Sequence, residues 1–165
     1  GAVLDALGAA TKVIYPQAGY HTEDVAQTGP LETKNIKVVA LADVFADRLN
    51  TCRQQLKKLG INIGDEFCFV GFDAYQKLLA VSEINYVILA TPPHFRPLHL
   101  RAAIEAGKHA FIEKPAAVDG PGVRLVIEAG ELARQKGLGI SAGTQRRHLL
   151  SYNETIKRLQ DGAIG

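Results

Sequence analysis

The chain of 165 residues has no methionine, no tryptophan, only two cysteines, and a net charge of just +2. Each scarcity excludes something. Cys52 and Cys68 form no C-x-x-C and no cluster with metal-ligand spacing, so a disulfide framework and a cysteine-held metal are both unexpected. Reduced structural thiols are expected instead, and no metal site is predicted elsewhere. A charge balance near zero leaves no electrostatic footprint for nucleic acid or an anionic membrane surface. No apolar run is long enough to span a bilayer. No stretch reads as a secretory or transit segment, but that says little: the compartment stays open, with the cytoplasm as default and export as the alternative. Internal repeats and low-complexity tracts are lacking. The absence of methionine leads to the expectation that the natural start lies upstream of Gly1.

What is present is ordinary for a globular domain: 47% hydrophobic and 22% charged residues, in a length that supports one domain with a real core. The stretch Ile84–Pro115 organises the rest. Its opening run, Ile84-Asn85-Tyr86-Val87-Ile88-Leu89-Ala90, is rich in β-branched and aromatic residues. It reads as a strand buried on both faces, as in a parallel sheet. Thr91-Pro92-Pro93 stops it, because proline cannot donate to a ladder. A helix follows over about 97–106, with Leu100, Ala103 and Ile104 on one face and Gly107 as its stop. The run His109–Ile112 then leads directly into Glu113-Lys114-Pro115. Strand, helix, strand makes a βαβ unit whose two strands end at the same sheet edge. Open α/β sheets bind ligands at that carboxyl edge. Thr91–His94 and Glu113–Pro115 are therefore expected to line one crevice.

The remaining chain supports the same class. Gly1–Ala10 has helical composition, and Thr11–Asn35 reads as a long loop. Ile36–Ala42 is a strand closed by Asp43, and 45–59 a helix with Leu49, Cys52, Leu56 and Leu59 inward. Phe67–Val70 is a short strand. Asp73 with Gln76 resembles a capping box for a helix reaching Ala80. Asp119 is expected to cap a helix over 120–135, with Val123, Val126 and Ile127 inward. A strand over 138–142, the polar Gly143–His148 and a helix over 151–160 complete the chain. Strands alternating with helices give a doubly wound parallel α/β sheet with helices on both faces.

An apolar strand ending in Thr-Pro, then Ala106-Gly107-Lys108-His109, then Glu113-Lys114-Pro115, resembles the glucose–fructose oxidoreductase and inositol dehydrogenase family. The likeness runs from about Ile36 to the end of the chain. It implies a Rossmann-like dinucleotide-binding domain over 1–165. The sequence lacks the G-x-G-x-x-G turn that brings backbone amides against a pyrophosphate. The expectation is that the first strand and glycine turn precede Gly1, with Gly1-Ala2 ending that turn. A C-terminal α/β substrate domain, through which a homo-oligomer would form, is expected beyond Gly165.

The resemblance also implies roles. Asp43, at a strand's carboxyl end, would take both ribose hydroxyls of the adenosine half. No Arg or Ser follows it to welcome a 2′-phosphate, so NAD is preferred over NADP. The plainer role for Asp43 is to cap the next helix. Thr91, Pro92, Pro93 and His94 match a loop that packs against the dinucleotide, although prolines there more often shape backbone. Where many family members carry a histidine, this chain has Arg96, which either alters cofactor contacts or sits in solvent. Glu113 would meet the nicotinamide ribose, and Lys114 both that ribose and the substrate hydroxyl, with Pro115 as a cis turn. A lysine suits the work, being a positive, adjustable donor for a developing alkoxide. An exposed ion pair is the bland reading of Glu113-Lys114. Gln145 and Arg147 match an Asn-x-Arg near the nicotinamide or the hinge to a second domain. His21, Tyr15 and Tyr20 are read as surface packing.

The implied activity is NAD-dependent hydride transfer on a sugar, cyclitol or related polyol, with Lys114 as the catalytic residue of this chain. Some relatives use bound NAD for transient oxidation during glycoside cleavage, so a hydrolase is one alternative. A non-catalytic dinucleotide-binding module is the other.

Overall fold

The computed structural model describes residues 10–13, 26–28 and 36–165. The chain divides into two compact units, Gly1–Ile84 and Asn85–Gly165.

In the first unit, β1 (Ala10–Val13) pairs antiparallel with β2 (Ala26–Thr28). Two parts of the expected Thr11–Asn35 loop are thus strand, and Ala10 belongs to β1 rather than to a helix. The remainder of that loop, with His21, Tyr15 and Tyr20, lies outside the described residues, as does the expected helix up to Ala9. Next, β3 (Leu41–Asp43) runs parallel to β4 (Cys68–Val70), with Leu41 opposite Cys68 and Asp43 opposite Val70. The ladder is shorter than the apolar run from Ile36. Its partner is confined between a 3₁₀ turn at Asp65–Phe67 and Gly71, whose φ of 117° ends the strand.

Between them runs α1 (Ala46–Lys58), burying Leu49 and Leu56 as its spacing predicts. Leu56 and Ile63 form the centre of a cluster that Val38, Leu41, Cys52, Phe67 and Cys68 complete. Both thiols are free, and burial pushes each above its ordinary range, as inert packing cysteines require. The capping box before α2 (Ala74–Leu79) does not form. Asp73 has a helical backbone (φ −92°, ψ 0°) instead of the extended one that aims a cap side chain at the first turn. Its carboxylate pairs with Lys77 Nζ at 2.8 Å.

The second unit is a parallel sheet in the order β5-β6-β7: Tyr86–Leu89, His109–Ile112 and Ile140–Ala142. Tyr86 faces His109 and Ala110 faces Ile140 across the ladders. The crossover helices α3 (Arg96–Glu105) and α4 (Gly120–Lys136) pack on one another. Leu100, Ala103 and Ile104 are sealed, as are Ala129 and Ala133 opposite them. Val87, Leu89, Ala110 and Ile112 are buried while Tyr86 is 48% exposed, so within this unit β5 and β6 alternate where burial on both faces was expected. Successive right-handed crossovers in one direction put both helices on the same face.

Helix α4 uses a different stripe from the one expected. Val123 and Ile127 are exposed, because Ala129 and Ala133 lie toward α3. Small side chains allow that close approach, and periodicity alone fits either stripe. Asp119 does cap α4, its Oδ1 accepting from Gly122 N at 2.7 Å. The end of α3 explains Ala106-Gly107-Lys108. Gly107, at φ +73°, donates to Ile104 O, and Lys108 N donates to Ala103 O at 3.0 Å, a Schellman stop. Lys136 of α4 adds Nζ bonds to the carbonyls of Ile104 and Glu105 (3.1 and 2.8 Å). A 3₁₀ turn at Gln145–His148 and α5 (Leu150–Gln160) follow β7. Parallel strands joined through helices make this a Rossmann-like α/β fold.

Candidate functional site

Two bonds extend the three-stranded ladder past its ends: Glu113 N to Leu89 O (3.1 Å) and Gly143 N to Ile112 O (2.9 Å). The segments after β5, β6 and β7 therefore leave from the same carboxyl edge, as the βαβ reading required. Thr91–His94, Glu113–Pro115 and Gln145–Arg147 all start there.

In the first segment, the carbonyls of Pro92 and Pro93 accept from Phe95 N (3.0 Å) and Arg96 N (3.3 Å). The prolines shape the entry to α3. The Thr91 hydroxyl lies 3.2 Å from His99 Nδ1, and the His99 ring stacks on Phe95. Burial lowers the His99 pKa, because a charged ring would lose its hydration there. His94 is exposed and meets Phe95 edge-on at 5.2 Å.

Arg96 is the residue that sequence reasoning undervalued. It sits neither in solvent nor at the rim, being only 7% exposed. Its Nε donates to Thr91 O (2.6 Å), and one terminal nitrogen to Glu113 O (3.0 Å) and Pro115 O (2.7 Å). One guanidinium thus ties the loop after β5 to the turn after β6. The signal was legible: a cation in the first turn of a helix opposes the helix dipole, so it needs another reason to be there.

Glu113 is half-buried, with its carboxylate over Gly143. A Cβ at Gly143 would fall 2.5 Å from Glu113 Oε2 and 3.2 Å from Phe111 Cζ. Lys114 is exposed and its peptide bond to Pro115 is cis. Among the described residues no salt bridge joins Glu113 to Lys114, so the ion-pair reading of this dipeptide has no contact behind it. After β7, Gln145 opens the 3₁₀ turn and Arg147 is exposed, its N–H bonded to Thr144 O at 3.0 Å. Arg146 instead lies over the Tyr152 ring, 5.5 Å from its centre.

Asp43 belongs to the other unit and ends β3. Its Oδ1 accepts from Phe45 N at 2.9 Å, so it does support the entry to α1. A half-buried carboxylate at that strand end is the acceptor set that ribose hydroxyls need. In the second unit, the half-buried carboxylate of Glu113 at the carboxyl edge is chemically suited to accept from a ribose hydroxyl. Among them no group of three or more His, Cys, Asp or Glu is placed to hold a metal, and no helix is long and apolar enough to cross a membrane.

The chain belongs to the GFO_IDH_MocA oxidoreductase family, whose NAD-binding Rossmann-fold model matches residues 17–144. It is 30% identical over 138 residues to a glycosyl hydrolase family 109 protein of Streptomyces coelicolor, covering 84% of this chain and 28% of that protein. It is 36% identical over 102 residues to inositol 2-dehydrogenase 4 of Saccharopolyspora erythraea, covering 62% of this chain and 29% of that one. The fold matches scyllo-inositol dehydrogenase from Lactobacillus casei, solved with NAD(H) and scyllo-inositol, at a TM-score of 0.61 and 24% identity. That match covers 81% of this chain and 36% of the other. The chain thus spans only 28% and 29% of the length of the two curated relatives.

Proposed function

We propose that the protein is an NAD-dependent oxidoreductase moving a hydride to or from a hydroxyl-bearing carbon of a sugar, cyclitol or related polyol. When bound, the nicotinamide ring accepts or returns that hydride. Lys114 donates to the substrate oxygen and steadies the negative charge that develops as the hydroxyl loses its proton. Glu113 accepts from the nicotinamide ribose, and Asp43 accepts from the adenosine ribose and disfavours a 2′-phosphate. Thr91, Pro92 and His94 form the wall against the dinucleotide, with Gln145 and Arg147 closing the same edge. The main proton acceptor lies on a further domain.

The observation that supports this reading is the convergence of the Thr91 loop and the Glu113-Lys114-Pro115 turn at one parallel edge, bound together through Arg96. The test is turnover of the intact protein with a panel of inositols and sugars, following NADH absorbance. Reduction of NAD by a polyol is expected. Absence of both turnover and NAD binding would overturn it. The hydrolase relative favours a second reading, NAD-assisted glycoside cleavage. It is distinguished by aryl glycoside cleavage that needs NAD but consumes none.

A further inference from the structure

We propose that Arg96 is a positioning residue that holds Lys114 in its working place. The inference rests on the role proposed above for Lys114. It starts from a physical oddity. A guanidinium stays charged at all ordinary pH, and burying a charge is costly unless hydrogen bonds replace its water. Arg96 is buried, yet among the described residues its partners are three backbone carbonyls and no carboxylate. Such an arrangement contributes little as an ion pair. What it does is geometric. Glu113 O and Pro115 O lie on either side of Lys114, and both accept from the same terminal nitrogen of Arg96. The third bond, to Thr91 O, anchors that fork to the loop after β5. Lys114 itself is exposed and, among the described residues, makes no ion pair that would orient it. Its backbone is therefore set by the two carbonyls that flank it, and those are set by Arg96.

A lysine at position 96 keeps the charge but loses the planar fork, so it cannot hold both segments at once. Misplacement of a reacting group by an ångström costs up to about a hundredfold in rate. Arg96→Lys in the intact protein is therefore expected to lower kcat about tenfold to a hundredfold, with a smaller rise, of a few fold, in KM for NAD. In a Lys114→Ala background the same substitution is expected to cost less than about threefold, because residues acting as one unit are not additive. A readout independent of activity is amide hydrogen exchange without cofactor. Arg96→Lys should speed exchange at Phe95 and Glu113 while Val87–Leu89 and Ala110–Ile112 stay protected. If Arg96→Lys multiplies fully with Lys114→Ala, Arg96 does not act through Lys114 and the inference falls alone. Exchange raised throughout the unit would also overturn it, as a general stabiliser would do that. If Lys114→Ala leaves turnover unchanged, the proposed role of Lys114 falls first and this inference with it.

Discussion

The two units hold their parallel strands to different degrees. In the unit ending at Ile84, the β3–β4 ladder is three residues long, and the cluster at its centre has two buried members, Leu56 and Ile63, inside a half-buried ring. In the unit beginning at Asn85, three strands are in register, and Leu100, Ala103, Ile104 and Ala129 are fully sealed between helices and sheet. The candidate residues divide along the same line. Asp43, whose proposed task is charge selection, stands on the shorter ladder and is oriented by one local bond to Phe45 N. Glu113 and Lys114, whose proposed tasks demand fixed placement, stand on the longer one, where Arg96 ties the carbonyls of Glu113 and Pro115 that flank Lys114. Selection by charge tolerates looseness; proton and hydride chemistry do not.

The largest expected effect probes that contrast at its strongest point. Lys114 is exposed and removes no core volume when truncated. Lys114→Ala should cost turnover about 10²–10⁴-fold, the usual worth of a positioned acid–base or electrostatic group. The thermal melt should barely move. Turnover with a polyol panel, beside a melt of the same variant, is the measurement. A collapsed melt would make Glu113-Lys114-Pro115 a structural clamp and erase the contrast.

Next comes the core. Ile104 and Leu56 are both sealed, at 0% and 1% exposure, but their neighbours differ. Half-buried side chains around Leu56 can collapse into the space it leaves, while the packed helices around Ile104 cannot. Truncation to alanine costs about 2–5 kcal/mol, with the spread set by relaxation. Ile104→Ala should lie near the top of that range and Leu56→Ala near the bottom, read from urea midpoints. Equal costs would show that the two cores are equally rigid.

How much of this was legible in the sequence follows the same division. In the second unit, β6 and the buried face of α3 appear where the apolar pattern puts them, and the edge residues leave together. Ala106-Gly107-Lys108 was readable as a stop because a Schellman end needs glycine at one position. The stripe of α4 was not readable, since Val123 and Ile127 fit helical spacing as well as Ala129 and Ala133 do. Choosing between them requires knowing which partner demands small residues. In the first unit the run from Ile36 looked like a long strand, but ladder length is set by the partner strand. The capping box at Asp73 failed because a pattern of residue types does not fix the cap's backbone angles. Arg96 carried one legible signal, a cation in the first turn of a helix, but not its partners, which are three carbonyls of two segments far apart in sequence.

Asp43 tests the looser side. Asp43→Asn keeps an oxygen for Phe45 N and removes the charge, so the entry to α1 should survive. NAD binding should weaken by about 1–3 kcal/mol, the range for losing a charge-assisted hydrogen-bonded site. Discrimination against NADP should shrink, because the repulsion of a 2′-phosphate disappears. Fluorescence titration with both cofactors measures this. Tighter binding of NADP than NAD by the unmutated protein would refute the role.

The smallest effect is the most discriminating, because it separates placement from stability within the tighter unit. Gly143 has no left-handed backbone to protect, so alanine is allowed there conformationally. The obstacle is spatial: the new Cβ would lie 2.5 Å from Glu113 Oε2 and 3.2 Å from Phe111 Cζ. The carboxylate is the far end of a flexible side chain and can swing aside cheaply, and the ring need yield only slightly. Gly143→Ala should therefore change stability within the usual scatter of mild substitutions, about 0.5 kcal/mol. The displaced carboxylate, however, no longer stands where a nicotinamide ribose would meet it. Loss of part of a charged hydrogen bond is worth roughly 1 kcal/mol, which is roughly a fivefold weaker Kd for NAD. Turnover at saturating cofactor should fall much less than in Lys114→Ala, since the carbonyls on either side of Lys114 keep their bonds to Arg96. A titration showing unchanged NAD affinity, with the melt intact, would remove Glu113 from the cofactor's surroundings and leave Lys114 as the working residue of that turn.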